Sequence, residues 1–210
     1  KSLNPHCKVY GVQAAGAASM FNAVRDGRKE TLDGVATIAD GIAVKTPGDL
    51  TFELCSRYVD EIVTVTDDEI STAILTLIEQ QKLITEGAGA VSVAAVLFDK
   101  IPVEGKNVVC LLSGGNIDVT ILSRVISRGL LKSGRSADII IELSDKPGQL
   151  SGVSKIVADL GGNVVAVYHD RADLDMDINA CFLRLVRDHA HVEEIKRALT
   201  AAGYKLAARA

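Results

Sequence analysis

The sharpest change of pattern along the chain falls at Val108-Val109-Cys110-Leu111-Leu112, an apolar run that stops at Ser113-Gly114-Gly115-Asn116. A short β-branched run of this kind reads as a strand buried on both faces, and glycines after it permit a tight turn that a side chain would block. A helical pattern follows, from Asp118 to Gly129. Strand, Gly-rich turn and helix form the unit whose carboxyl-end crevice holds ligands in open α/β sheets, because the turn exposes backbone N–H groups at a helix N-terminus. The turn therefore reads either as a ligand crevice around Ser113 or as a plain connection.

The preceding pattern repeats this alternation. Lys8 to Val12 reads as a short strand, and Ala14 to Val24 as an Ala-rich helix closed by Asp26-Gly27. Thr31 to Val44, broken at Gly34 and Gly41, reads as an extended, irregular and mostly apolar segment that needs close backbone approach, with a surface loop as the alternative. Pro47 to Tyr58 reads as a helix and Glu61 to Val65 as a strand. Thr66-Asp67-Asp68-Glu69 then carries a capping-box signature, opening a helix to about Lys82. Glu86-Gly87-Ala88-Gly89-Ala90 starts a second Ala-rich helix through Phe98, and the Glu86 carboxylate suits either a cap for that helix or a ligand.

Beyond the polar stretch 132–136, the best linker candidate, the pattern changes. Strands are predicted at Asp138–Leu143, Asn163–Tyr168, Asn179–Val186 and Tyr204–Leu206, with helices at Pro147–Leu160 and Val192–Ala202. The order βαββαβ makes an antiparallel sheet covered on one face by two helices. The hydrophilic stretch His169–Asp177 reads as an exposed hairpin loop.

Composition adds bounds. The 210 residues are 48% hydrophobic but only 4% aromatic, with no Trp, which suits an aliphatic α/β core. The net charge is −4, with 14 basic against 16 acidic residues up to Ser136 and 9 against 11 after it, so neither part is a basic arm for nucleic acid. No stretch approaches a membrane span, and no secretory signal is visible. Cys7, Cys55, Cys110 and Cys181, three of them inside apolar segments, show no CxxC pairing and read as reduced core residues of a cytosolic protein; the four histidines offer no metal spacing. The chain opens at Lys1 in what reads as mid-motif, as expected of a piece of a longer protein.

Four motifs in order, Thr37-Ile38-Ala39-Asp40-Gly41, Val65 to Ile70, Glu86-Gly87-Ala88-Gly89 and Leu112 to Asn116, resemble those of the pyridoxal-phosphate-dependent threonine ammonia-lyases (threonine dehydratases) of the tryptophan-synthase-β fold type. Asp145 to Leu150 and Gly161 to Val164 resemble the ACT domain, a small regulatory amino-acid-binding module. The resemblance implies an α/β fold: part of a fold-type II large domain, mostly parallel sheet with helices, over 1–131, and a ferredoxin-like ACT domain over 137–210.

By the same resemblance, pyridoxal 5'-phosphate is the cofactor, Ser113 hydrogen-bonds its pyridine nitrogen, Gly41 lies against it, Glu86 stands near its ring, and Gly114 belongs to the same turn. A neutral hydroxyl does not hold that nitrogen protonated as a carboxylate would, which suits loss of a β-hydroxyl better than transamination. The implied reaction deaminates L-threonine or L-serine to 2-oxobutanoate or pyruvate and ammonia. The family's Schiff-base lysine and Gly-rich phosphate loop have no match; Lys45, Lys82 and Lys106 stand in other contexts, so this chain alone is expected to be inactive. Where some relatives carry carboxylates for a divalent cation, this sequence has Gln13 and Ser19, poor ligands for a hard ion, and no divalent site is expected.

The ACT resemblance makes Asp145, Gly148, Gln149, Leu150 and Asn163 candidates for binding an amino-acid effector, often between two copies in a homo-oligomer, with ordinary turn chemistry and dimerisation as the alternative. Two other readings stand beside the lyase: a non-catalytic amino-acid sensor, and a serine racemase-like enzyme.

Overall fold

The computed structural model describes residues 1–132, 135–144, 146–170, 178–186 and 189–207, and they fall into two compact units, Lys1–Gly129 and Leu130–Ala210. In the first, β1 (Tyr10–Ala14) and β2 (Glu61–Val65) form a two-stranded parallel ladder, with Val12 opposite Val63. The chain before β1 is tied to this ladder by Asp60, which accepts from the Lys1 ammonium at 2.5 Å and the Val9 N–H at 2.8 Å. The Lys1 ammonium first, then the Val9 N–H, hold the Asp60 carboxyl well below the usual carboxylate range. Cys7, expected in the core, is exposed, because it lies before β1 and outside the ladder.

Helices surround the ladder. The expected Ala-rich helix starts late, since Ala14 completes β1 and a single turn at Ala15–Ala17 intervenes before α1 (Ser19–Asp26), which stops at Gly27 with φ 67°. After α2 (Asp49–Tyr58), α3 (Asp67–Thr76) opens on the predicted capping box: Thr66 Oγ accepts from the Glu69 N–H and the Glu69 carboxylate accepts from the Thr66 N–H. The helix runs on through a π turn at Leu77–Gln81 and ends at Lys82, in the left-handed region.

The helix α4 (Gly87–Leu97) is apolar all round, and its small residues let α3, β1 and β2 pack closely against it. Ile70, Ala73, Ile74, Ala90, Ala94 and Val65 form the buried centre of this unit. The chain enters the second unit within the last turn of α5 (Val119–Lys132).

The predicted strand at Val108–Leu112 is corrected. Among the described residues it belongs to no sheet, and Val109 is 95% exposed and Leu111 76%. The physical reason is that a strand is defined by its ladder partners, and no neighbouring strand offers this run any. The segment is held instead by α4: the Ser92 hydroxyl donates to the Leu111 carbonyl at 3.1 Å, and the Cys110 thiol to the Ser92 carbonyl.

The second unit has the expected βαββαβ order: β3 (Ser136–Ser144), α6 (Gln149–Asp159), β4 (Val164–Asp170), β5 (Ile178–Val186), α7 (His189–Ala201) and β6 (Lys205–Ala207). The sheet runs β4-β5-β3-β6, all antiparallel, with Ile139, Ile141 and Leu143 packed on Val153, Val157, Ile195 and Leu199 from the two helices. Of the predicted hairpin loop, His169 and Asp170 extend β4, while residues 171–177 lie outside the described residues.

Candidate functional site

The N-terminus of α4 gathers the front-half motifs. Its first turn is packed on the Thr37–Gly41 segment: a Cβ on Gly87 would come within 2.5 Å of the Ile38 carbonyl oxygen and 2.9 Å of the Ala39 Cα. That segment is placed from a distance of thirty residues. The Thr37 hydroxyl donates to Asp67 Oδ1 at 2.6 Å, the Ile38 N–H to Asp67 Oδ2 at 3.3 Å, and the Ala39 N–H to Thr37 Oγ1 at 3.1 Å. Asp67 therefore sets where Asp40 and Gly41 lie, and nothing in its own motif beyond the capping signature marks it.

From the other side comes the Ser113–Asn116 turn. The Gly114 carbonyl accepts from the Glu86 N–H at 3.1 Å and from the buried Thr85 hydroxyl at 2.7 Å. Gly89 is obligatory, since a Cβ there would meet the Gly114 oxygen at 2.8 Å and collide with the Thr85 hydroxyl. The turn and the helix start are thus one rigid corner.

Glu86 occupies the N-cap position of α4, but its side chain makes no capping bond. Of the two uses open to it from sequence this rules out the cap: the carboxylate lies across the corner, with Oε1 3.5 Å from where a Gly41 Cβ would stand and against Gly114, whose Cβ would sit 2.8 Å from Glu86 Cδ. With the carboxylate there only a glycine fits at Gly114, while a Cβ at Gly41 would be in ordinary contact with the carboxylate and tight against the Ala88 Cβ at 3.1 Å. Gly41, Glu86 and Gly114 are therefore brought together beside a cleft of about 460 Å³, which Glu86 lines with Ile38, Asp40, Gly87, Asn116 and Asp118, while Gly41 and Gly114 are not among its lining residues. Asp40 and Asn116 lie within the sequence motifs and Asp118 two residues beyond one, but the sequence assigns no role to any of the three.

Ser113 is exposed, next to Gly114, and is not among the residues lining that cleft. Asp118 caps α5, accepting from the Thr120 hydroxyl and from the Thr120 N–H at 2.7 Å; the hydroxyl first, then the N–H groups, lower its carboxyl below the usual range. Lys45, Lys82 and Lys106 donate to the carbonyls of Asp33, Glu79 and Pro102, and none of the three lines the cleft. Gln13 Oε1 accepts from the Phe21 N–H at 2.8 Å and Ser19 Oγ donates to the Val44 carbonyl at 2.6 Å, so both side chains serve the backbone.

In the second unit, Gly148 caps α6 with φ 89°, a conformation that favours glycine, and Gln149 and Leu150 form its first turn. Asn163 stands exposed just before β4, and Asp145 lies outside the described residues.

Comparison with known proteins gives this geometry a family. Residues 1–114 match the model of the pyridoxal-phosphate dependent enzymes. The chain belongs to that family. Residues 137–203 match the ACT domain, so the second unit of this pyridoxal-phosphate dependent family member has the fold of that module. The chain is similar to the L-threonine ammonia-lyase of Thermotoga maritima, 51% identical over 98% of this chain and 52% of the relative. Among solved structures it is similar to the processed form of threonine deaminase isoform 2 from Solanum lycopersicum, with 36% identity, 62% of this chain and 37% of that one covered, and a TM-score of 0.57. It is also similar to maize serine racemase, with 29% identity, 63% and 41% covered, and a TM-score of 0.54. The chain spans about half the length of the curated relatives it matches, 52% for Thermotoga maritima and for Geobacter sulfurreducens.

The residues present fit the cofactor of this family on structural grounds. At the corner a Cβ on Gly114 would run into the Glu86 carboxylate and one on Gly41 would crowd the Ala88 Cβ at 3.1 Å, and that half-buried carboxylate, not used for capping, lines the cleft.

Proposed function

We propose that these residues form part of a threonine ammonia-lyase that converts L-threonine, or L-serine, to the 2-oxo acid and ammonia. The convergence of Gly41, Glu86 and Gly114 at the start of α4 is the observation that carries this reading. In it, residues 1–131 contribute one wall of the catalytic domain, 132–136 connect, and 137–210 regulate in response to an amino acid. The whole protein is a cytoplasmic homo-oligomer in amino-acid metabolism.

Bound pyridoxal phosphate supplies an electron sink for the pair left when the substrate Cα–H bond breaks. The Ser113 hydroxyl would donate to the pyridine nitrogen without giving it a full proton, which would favour elimination over transamination. Gly41 and Gly114 would leave the backbone room beside the cofactor, and the Glu86 carboxylate would stand near its ring. Asp67 acts through the Thr37–Gly41 segment, as a positioning residue. Asp145, Gly148, Gln149, Leu150 and Asn163 hold the effector, whose carboxylate is met by the N–H groups at the start of α6.

The test uses the whole protein. L-Threonine should yield 2-oxobutanoate with a visible absorption band of bound cofactor, and Ser113→Ala should cost on the order of 100-fold in kcat while shifting that band. A protein without the band refutes the reading. Interconversion of L- and D-serine without keto-acid release would favour a racemase, the reading that the maize likeness supports. Cofactor binding with no turnover and a response to amino acids alone would favour a sensor.

A further inference from the structure

Ser113 is exposed, and among the described residues it makes no hydrogen bond of its own. Gly114 and Gly115 follow it, and two glycines in a row leave the backbone too free to fix the direction of the side chain before them. The restraint comes from outside the turn. The Gly114 carbonyl is held by two donors, the Glu86 N–H at 3.1 Å and the Thr85 hydroxyl at 2.7 Å. Gly115 lies so close to the same segment that a Cβ on it would stand 3.0 Å from the Ile84 carbonyl oxygen.

Thr85 is the member of this set that packing does not explain. It is 2% exposed, and its one hydroxyl proton has two acceptors in range, the Gly114 carbonyl at 2.7 Å and the Glu86 carbonyl at 3.3 Å, of which the nearer is the better partner. A buried hydroxyl is costly without a partner, so this bond persists while the corner is folded. Valine would fill the same space, and only the hydroxyl sets threonine apart from it.

We infer that Thr85 is a positioning residue for Ser113: its hydroxyl, through the Gly114 carbonyl, sets the direction in which the Ser113 hydroxyl is presented to the pyridine nitrogen of the cofactor. The inference rests on Ser113 being the partner of that nitrogen. Thr85 is not among the residues lining the cleft, so it acts through its neighbours alone. Without its bond the two glycines let Ser113 swing, and the loss falls on kcat rather than on the binding of threonine. A residue that only stabilised the fold would change the amount of folded protein and leave the kcat of that protein as it was.

The test uses the whole protein as Thr85→Val, Thr85→Ser, Ser113→Ala and the double variant. Thr85→Val should lower kcat about tenfold, as loss of one neutral hydrogen bond can, with KM for L-threonine within about twofold of the parent. It should also shift the absorption band of the bound cofactor in the direction that Ser113→Ala shifts it, and Thr85→Ser should restore both. In the Ser113→Ala background Thr85→Val should cost less than about twofold in kcat, because residues that act through one contact are not additive. In this chain alone, without cofactor, Thr85→Val should speed exchange of the Glu86 amide about tenfold, since that N–H shares the Gly114 carbonyl. Parental kcat and band in Thr85→Val beside an impaired Ser113→Ala overturn the inference and leave the role of Ser113 standing. So does a loss that persists undiminished in the double variant, or a Glu86 amide whose exchange is unchanged. Parental kcat and band in Ser113→Ala overturn both. If Thr85→Val does not fold, Thr85→Cys, whose thiol is a weaker donor, takes its place with the same pattern of smaller losses.

Discussion

At residue scale the corner at α4 is built by what is missing from its side chains. Gly87 needs no unusual backbone angle; it needs the room that Ile38 and Ala39 occupy, and both obstacles are backbone atoms. Gly87→Ala should therefore cost about 1–3 kcal/mol of stability, measured by urea unfolding, and should speed exchange at Ile38 and Ala39. An unchanged midpoint would show that the Thr37–Gly41 segment yields freely. The sequence located this segment as one needing close backbone approach but not its fixing point, because Asp67 acts across thirty residues through hydrogen bonds that no local spacing records. Glu86 was open for a comparable reason. An acidic residue before a helix suits the N-cap, and only the position of Gly114, brought from another part of the chain, shows the carboxylate turned elsewhere.

At the scale of elements, local rules succeeded where local chemistry decides. β2 has its predicted limits, and the α3 capping box is present in both directions. Thr66→Ala should lower stability by about 1 kcal/mol, read from a denaturant midpoint at neutral pH. The pH dependence of this helix start has a defined sign. Burial pushes the Glu69 carboxyl up, but the Lys100 ammonium and the Thr66 N–H outweigh it, and the net shift is downward. A carboxyl lowered in the folded state contributes stability above its unfolded value of about 4.3 and loses it as pH falls through the lower folded value. Between pH 7 and pH 3 the midpoint of Glu69→Gln should therefore fall less than that of the parent chain. Equal slopes would show that Lys100 and the cap contribute nothing through this charge. Where an element depends on a distant neighbour the local rules failed, as at Val108–Leu112, whose composition is that of a strand but which has no ladder partner among the described residues.

Across the whole molecule the class of fold was legible because two periodicities follow one another, βα alternation with Ala-rich helices and then the split βαβ pattern of the ACT unit. With a net charge of −4 and an isoelectric point of about 5.6, the chain should be least soluble near that pH; a solubility minimum elsewhere would point to an uneven surface charge. In the ACT unit the outermost strand, β4, leaves Val165, Val167 and Tyr168 exposed. Val164 faces Leu185 and Ala166 faces Arg184, so Val165 is one residue more than β5 can match. An interruption of this kind bends and twists an edge strand, making it a poor template for sheet-to-sheet growth between molecules. Val165 thus works as a guard against fibril-like stacking, and deleting it would straighten the rim while leaving Val164 opposite Leu185 and Ala166 opposite Arg184.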